Sequence, residues 1–107
     1  MEPRKWQVGA LVAFSSAGAA RQVLVNTEEA RAALICLREG QGLATHPAPG
    51  HAFVHVLSGR LAITWPPGEE EVGRGALFYL PPGTPHSLRA LKDSVVLVTV
   101  AAPRRPG

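Results

Sequence analysis

Short apolar or alternating runs separated by turn residues make up most of this chain, and no stretch keeps helical spacing over three turns. The pattern predicts eight strands, near residues 8–14, 22–25, 33–38, 51–57, 60–65, 76–80, 86–91 and 94–100. Glycine and proline lie between them, as in Ser58-Gly59 and Pro81-Pro82-Gly83, because proline fixes φ and glycine permits positive φ. We therefore expect an all-β protein, either a closed barrel or a sandwich.

Two segments allow a second interpretation. Residues 27–34 could begin with one helical turn capped by Thr27. The basic pair Arg4-Lys5 before the apolar run Val8–Phe14 imitates a secretory signal. We interpret that run as a first strand, because it has only seven residues and Glu2 lies in the supposed basic region. No apolar run reaches the length of a membrane span, so we expect no membrane partner.

Composition and charge narrow the class of protein. The length of 107 residues and 46% hydrophobic content predict a single folded domain, 1–107, with frayed tails at 1–5 and 101–107. The formal charge of +3 belongs to these tails, and the chain between them is neutral, so we expect no nucleic-acid partner. The single Cys36 fits a reducing cytoplasm. Nine arginines against two lysines suit a high-GC or thermophilic bacterium.

All four histidines fall in two short segments, and this clustering is the strongest chemical signal in the sequence. The first segment, 42–59, carries His46, His51 and His55, and the second, 75–86, ends at His86. The other candidate for ion binding is the glutamate run at 69–71. Adjacent residues of a strand point to alternate sides, so these three carboxylates cannot converge on one ion.

At these two segments the chain resembles the cupin superfamily, whose fold is a jelly-roll β-barrel, or double-stranded β-helix. The second cupin motif matches throughout, at Gly75, Pro81, Gly83 and His86. The first motif matches with His46 at its second histidine and Gly59 at its closing glycine, but Ala44 replaces its first histidine and His51 replaces its glutamate. The resemblance spans roughly residues 36–100 and implies a cupin barrel of eight or more strands.

The resemblance implies a metal site. His46, His51 and His86 would hold a divalent transition metal (Fe, Zn, Mn, Ni or Cu) and leave positions open for water or substrate. His51 and His55 lie about 13 Å apart on a regular strand, at roughly 3.3 Å per residue, so one ion cannot take both. We expect His51 to be the ligand and His55 to be the alternative ligand or a pocket residue. Phe53 and Leu88 are the other expected pocket residues.

Two functions remain open. One is a metal-dependent cupin enzyme, such as an oxygenase or an isomerase-like protein, for which no general base is evident. The alternative is a metal-independent cupin that binds a sugar or an organic acid as a sensor, without catalysis. Arg38, Arg60 and Arg89 could orient an anion, but strand alternation sends Arg89 outward. The resemblance also implies a homodimer, formed through a sheet face or by exchange of the Val8–Phe14 strand.

Overall fold

Nine antiparallel strands in two sheets form the part of the protein that the structure describes. The computed structural model describes residues 2–102. The strands are β1 (Ala20–Asn26), β2 (Ala30–Leu37), β3 (Gly42–Pro47), β4 (His51–Ser58), β5 (Arg60–Trp65), β6 (Gly68–Gly73), β7 (Leu77–Leu80), β8 (Pro85–Ala90) and β9 (Ser94–Ala101). One sheet has the order β1-β2-β9-β4-β7, and the other has the order β3-β8-β5-β6. The fold is therefore all-β, as the sequence predicts.

Strand alternation builds the core between the two sheets. In β4, the even positions from Ala52 to Val56 are buried, and the odd positions between them are only partly buried. The core also contains branched side chains from both sheets: Ile35, Leu37, Leu61, Ile63, Leu80, Leu88 and Val96. Burying each such side chain stabilises the fold by about 1.5–3 kcal/mol. The core fills the interior below the open end of the barrel, where β3 and β8 carry histidines.

The predicted strand at residues 8–14 is wrong. Val8–Leu11 form one turn of 3-10 helix, and the segment packs through Val8, Leu11 and Phe14 on the outside of the five-stranded sheet. There it covers a second apolar cluster made of Leu34, Cys36 and Val95. Val8 and Leu11 suit this one-sided contact, because residues three apart lie on one face of a 3-10 turn, and Phe14 joins the same cluster from the segment that follows the turn. The segment thus packs on the sheet of its own chain.

The turns also differ from some expectations. Thr27 does not cap a helix, since it closes the hairpin between β1 and β2. Its hydroxyl accepts from the Ala30 amide at 3.0 Å, and its own amide donates to the Ala30 carbonyl at 2.9 Å. Two residues of the predicted tail at 101–107 are ordered, because Ala101 ends β9 and the Ala102 amide donates to the Glu29 carbonyl at 2.8 Å. Residue 1 and residues 103–107 of the predicted tails lie outside the described residues.

Across residues 2–102 we find no helix that is both long and apolar enough to span a membrane.

Candidate functional site

Two histidines meet on neighbouring strands of the smaller sheet. The antiparallel pairing of β3 with β8 puts His46 directly opposite His86, and their ring centroids are 4.4 Å apart. His86 is only 6% exposed, whereas His46 is an exposed residue. The structure thus brings together the two histidines that match histidine positions of the first and second cupin motifs. They form an imidazole pair with one buried and one accessible ring.

Backbone carbonyls orient both rings in the same way. His46 Nδ1 lies 2.9 Å from the Ala44 carbonyl oxygen, and His86 Nδ1 lies 3.0 Å from the Thr84 carbonyl oxygen. A carbonyl oxygen can only accept, so each Nδ1 carries the donated proton. Each neutral ring therefore has an unprotonated Nε2 that can accept a hydrogen bond or bind a metal.

The pKa of His86 lies below its ordinary value of 6.5. Burial is the main cause, because it disfavours the charged form, and the nearby His46 lowers the pKa further. The hydrogen bond to the Thr84 carbonyl acts in the opposite direction and is outweighed. The buried ring is therefore neutral at pH 7.

A cavity of about 590 Å³ opens between the two sheets beside the histidine pair. This volume lies within the range of small-molecule sites, which is roughly 300–1,000 Å³. His46, His86, Leu43 and Ala44 line the wall contributed by the smaller sheet. The opposite wall comes from the five-stranded sheet and is mostly apolar, with Val23, Val25, Ala33, Ile35, Ala52, Val98 and Val100. The cavity is thus large enough for a small organic molecule and has an apolar middle.

Two arginines also line the cavity, on the five-stranded sheet. Arg31 shares a face of β2 with the core residue Ile35, four positions later, because strand side chains repeat every second residue. Arg21 of β1 pairs directly with Ile35 and therefore lies on the same inner face. Within residues 2–102, neither guanidinium takes part in an ion pair, and the cavity lining contains no carboxylate. The cavity is therefore a cationic site with unneutralised guanidinium groups.

The structure does not bring His51 to the other two histidines. His51 lies on the outer face of β4, since its neighbour Ala52 faces the cavity and alternate residues point to opposite sides. There its Nδ1 is 2.7 Å from the Tyr79 hydroxyl, and the two rings stack at 6.0 Å. The expected set of three histidines is thus corrected to the pair of His46 and His86.

The three expected pocket residues also lie elsewhere. Phe53 and His55 occupy the same outer face as His51, and Phe53 packs against Tyr79 with ring centroids 5.3 Å apart. His55 is therefore not an alternative ligand in the barrel. Leu88 does face inward, as alternation from His86 requires, but it is 4% exposed and belongs to the core rather than to the cavity lining.

The other arginines considered from the sequence do not enter the cavity. Arg38 pairs with Asp93 at 3.8 Å, and Arg60 pairs with Glu71 at 3.1 Å. Arg89 is exposed on the outer side of β8. The Arg60 pair also uses one carboxylate of the 69–71 run, which lies on an edge strand of the smaller sheet and forms no ion site with its neighbours.

Comparison with known families agrees with this architecture. A sequence profile described as "Cupin domain" matches residues 33–101. The chain belongs to the cupin family. No protein of curated function matches the sequence of this cupin. Solved structures of similar fold provide a second comparison.

Three solved structures resemble this cupin over nearly its whole length. A conserved protein of unknown function from Streptococcus pyogenes is 26% identical, with a TM-score of 0.85, over 98% of this chain and 92% of that one. An RmlC-like cupin from Desulfovibrio desulfuricans is 26% identical, with a TM-score of 0.87, over 95% and 99% of the two chains. The protein TT1209 from Thermus thermophilus is 24% identical, with a TM-score of 0.81, over 98% and 100%. These similarities agree with the cupin fold and identify no ligand.

The donor set of this cupin does not fit a transition-metal centre. Catalytic sites of such metals use three protein ligands, and here the pair of His46 and His86 supplies two. The position of the first motif histidine is Ala44, which lines the cavity without a donor atom. In the part of the chain that the structure describes, no three His, Cys, Asp or Glu side chains come together. Within residues 2–102, the cationic cavity thus offers a metal ion the two imidazoles of His46 and His86.

Sequence reasoning missed Arg21 and Arg31 as site residues. The predicted strands began at residues 22 and 33, so both arginines fell outside them, whereas β1 begins at Ala20 and β2 at Ala30. A signal was available in the parity of Arg31 with Ala33 and Ile35. Starting the predicted strand at residue 31 instead of residue 33 would have placed this guanidinium on the inner face.

Proposed function

We propose that this cupin binds a small organic acid in the cavity between its two sheets, and that it does so without a metal. The observation that supports the proposal is the cavity lining: Arg21 and Arg31 on one wall, His46 and His86 on the other, and no carboxylate in the described lining. A carboxylate ligand would supply the missing negative charge. This is the metal-independent alternative that the sequence left open.

The chemistry of arginine favours an acid over a neutral sugar. A guanidinium presents paired N–H donors that match the two oxygens of a carboxylate, and such charge-assisted bonds are roughly twice as strong as neutral ones. Arg21 and Arg31 are exposed at the cavity mouth and have no ion-pair partner in residues 2–102. Binding therefore breaks no existing ion pair of either arginine. The valines of the five-stranded-sheet wall would contact the carbon chain of the ligand.

Calorimetric titration tests this function with two six-carbon probes, adipate and gluconate, and with the neutral polyol sorbitol. The protein is first treated with EDTA and checked for residual metal by elemental analysis. We expect the acids to bind and Arg31→Ala to weaken them about tenfold or more, since it removes a charge-assisted bond. Arg74→Ala is the matched control, because Arg74 is an exposed arginine in the turn after β6 and lies outside the cavity.

The same titration can overturn the proposal. If neither acid binds to the metal-free protein, or if binding appears only after Zn²⁺, Ni²⁺ or Fe²⁺ is added, the metal-independent function is wrong. Equal losses in Arg31→Ala and Arg74→Ala would show a non-specific effect of charge and would also contradict it.

We also propose that two copies of this cupin pair through an outer face of the larger sheet. We define this outer face as Leu97, Thr99, Phe53, His55, Leu77 and Tyr79. Leu77 and Tyr79 are 63% and 45% exposed, and no Lys, Arg, Asp or Glu belongs to the set. A two-fold interface brings like surfaces together, so a face without formal charge can meet its own copy without repulsion.

The reducing cytoplasm stays the proposed compartment, in agreement with the buried free thiol of Cys36.

A further inference from the structure

The two walls of the cavity offer different hydrogen-bonding chemistry. On the wall of the five-stranded sheet, Arg21 and Arg31 can only donate, because a guanidinium has no acceptor, and the Asn26 amide opposite Arg31 can donate or accept. On the opposite wall, His46 and His86 commit their Nδ1 protons to the Ala44 and Thr84 carbonyls. Their Nε2 atoms can therefore only accept while the rings are neutral. A ligand that spans the cavity meets donors at one end and acceptors at the other.

An acceptor pair selects against a second carboxylate at that end. A carboxylate has no proton to donate at neutral pH, so it would leave a neutral imidazole Nε2 unpaired and bring two acceptors face to face. A hydroxyl group donates one hydrogen bond and satisfies the same nitrogen. Burial keeps the His86 ring neutral and lowers its pKa below 6.5, so that ring stays an acceptor across the physiological range.

We propose that the ligand class is a small hydroxy acid, with its carboxylate on Arg21 and Arg31 and a hydroxyl donating to Nε2 of His46 or His86. This inference rests on the proposed function and narrows it from acids in general to acids that carry a donor at the far end. The two poles lie on different sheets, and Val23, Val98 and Val100 line the cavity on the sheet that carries the arginines. The carboxylate and the hydroxyl should therefore be separated along the ligand chain.

Four six-carbon probes test the class by calorimetric titration. Gluconate carries a carboxylate and hydroxyls, hexanoate carries a carboxylate alone, adipate carries a carboxylate at each end, and sorbitol carries hydroxyls alone. We expect gluconate to bind most tightly. Each hydrogen bond to Nε2 contributes a factor of roughly 2 to 13 in affinity, so one bond predicts about a 2- to 13-fold preference over hexanoate and two bonds about a 4- to 170-fold preference. Adipate should bind more weakly than gluconate, since its second carboxylate faces two acceptors.

Histidine variants show whether the preference comes from the imidazole pair. His46→Ala should lower the ratio of gluconate to hexanoate affinity at least twofold while the affinity for hexanoate stays within a factor of two. His46 is exposed, so its removal leaves the core intact, and His86→Asn then tests the buried ring. His51→Ala is the matched control, because it removes an imidazole from the outer face of β4 and should leave the ratio unchanged.

The outcomes separate this inference from the function on which it rests. Equal binding of gluconate and hexanoate would overturn the hydroxy-acid class and leave the binding of organic acids standing. Adipate binding more tightly than gluconate would overturn it as well. Failure of gluconate, hexanoate and adipate to bind at millimolar concentration would overturn both, as would sorbitol binding as tightly as gluconate. If the ratio of gluconate to hexanoate affinity falls equally in His46→Ala and His51→Ala, the claim that the imidazole pair binds the hydroxyl group is wrong.

Discussion

Gly59 and Gly75 have nearly the same backbone conformation and very different surroundings, and this contrast gives a quantitative prediction. Their φ angles are +90° and +88°, a region that residues with a Cβ rarely adopt. A Cβ added at Gly75 meets no atom within 4 Å. A Cβ added at Gly59 would lie 2.6 Å from Ser94 Cα and closer still to Ser94 Oγ and the Asp93 carbonyl. Replacing each glycine by alanine therefore separates backbone strain from steric overlap.

The expected magnitudes follow from these two contributions. Placing alanine at positive φ costs about 1–2 kcal/mol at either position. Gly59→Ala adds the overlap with Ser94, which is fully buried and cannot move freely, because its hydroxyl accepts from the Arg60 amide and donates to the Lys92 carbonyl. Overpacking of this kind costs about 1–3 kcal/mol. We expect Gly75→Ala to lower the free energy of unfolding by about 1–2 kcal/mol and Gly59→Ala by about 2–5 kcal/mol.

Urea unfolding followed by tryptophan fluorescence and by circular dichroism measures both changes. Equal m values for the two variants would show that they unfold from equally compact states. In a thermal scan, each kcal/mol shifts Tm by roughly 4–8 °C for a domain of this size, so the two variants should differ by at least about 4 °C. Equal destabilisation of the two variants, or a larger loss in Gly75→Ala, would refute the claim that the Ser94 contact constrains Gly59.

Three further predictions concern histidine protonation, metal binding and assembly. The wild-type free energy of unfolding should fall as pH drops below 6.5, because His86 binds a proton at higher pH in the unfolded chain than in the folded protein. Urea unfolding at pH 8 and at pH 5 measures this fall, and the fall in the free energy of unfolding should be smaller in His86→Gln. Ala44→His should bind about one Zn²⁺ per chain by titration and elemental analysis, and equal affinity in the wild type would contradict the two-ligand argument. Light scattering should give twice 11.3 kDa for the wild type and a monomer for Tyr79→Lys, whereas a monomeric wild type would contradict pairing.

Most of the fold could be predicted from the sequence because buried strands carry a periodic apolar signal. Seven predicted strands overlap observed ones, and the pattern fails where burial is slight. β3 has almost no buried position, and β6 carries three consecutive glutamates, so neither shows alternation between apolar and polar residues. The prediction of a strand at Val8–Phe14 failed for the opposite reason. This segment is apolar because it covers the outside of the larger sheet, and an apolar run does not by itself distinguish a strand from a short helix.

The candidate site was predictable only in part, because spacing along a chain does not fix the face of a strand. His46 and His86 follow glycine and proline turns that anchor the pairing of β3 with β8, and the structure brings these two residues together. The spacing of His51 gave its position along β4 but not its parity, and one residue of offset separates the cavity from the outer face. The face of Arg21 was assigned through the register between β1 and β2, which a single sequence does not specify, whereas the face of Arg31 follows from its parity with Ile35.

The exposed rim of the cavity suggests how a barrel of this kind could change its chemistry during evolution. His46 and Ala44 are exposed at the mouth, so substitutions there alter the ligand-binding groups with little effect on the core. A slip of β4 by one residue would also move a histidine inward, but it would carry Val54 and Val56 out of the core at the same time. Gain or loss of a metal by point substitution at the rim is therefore the accessible route, and new ligand preferences can arise while the barrel beneath stays the same.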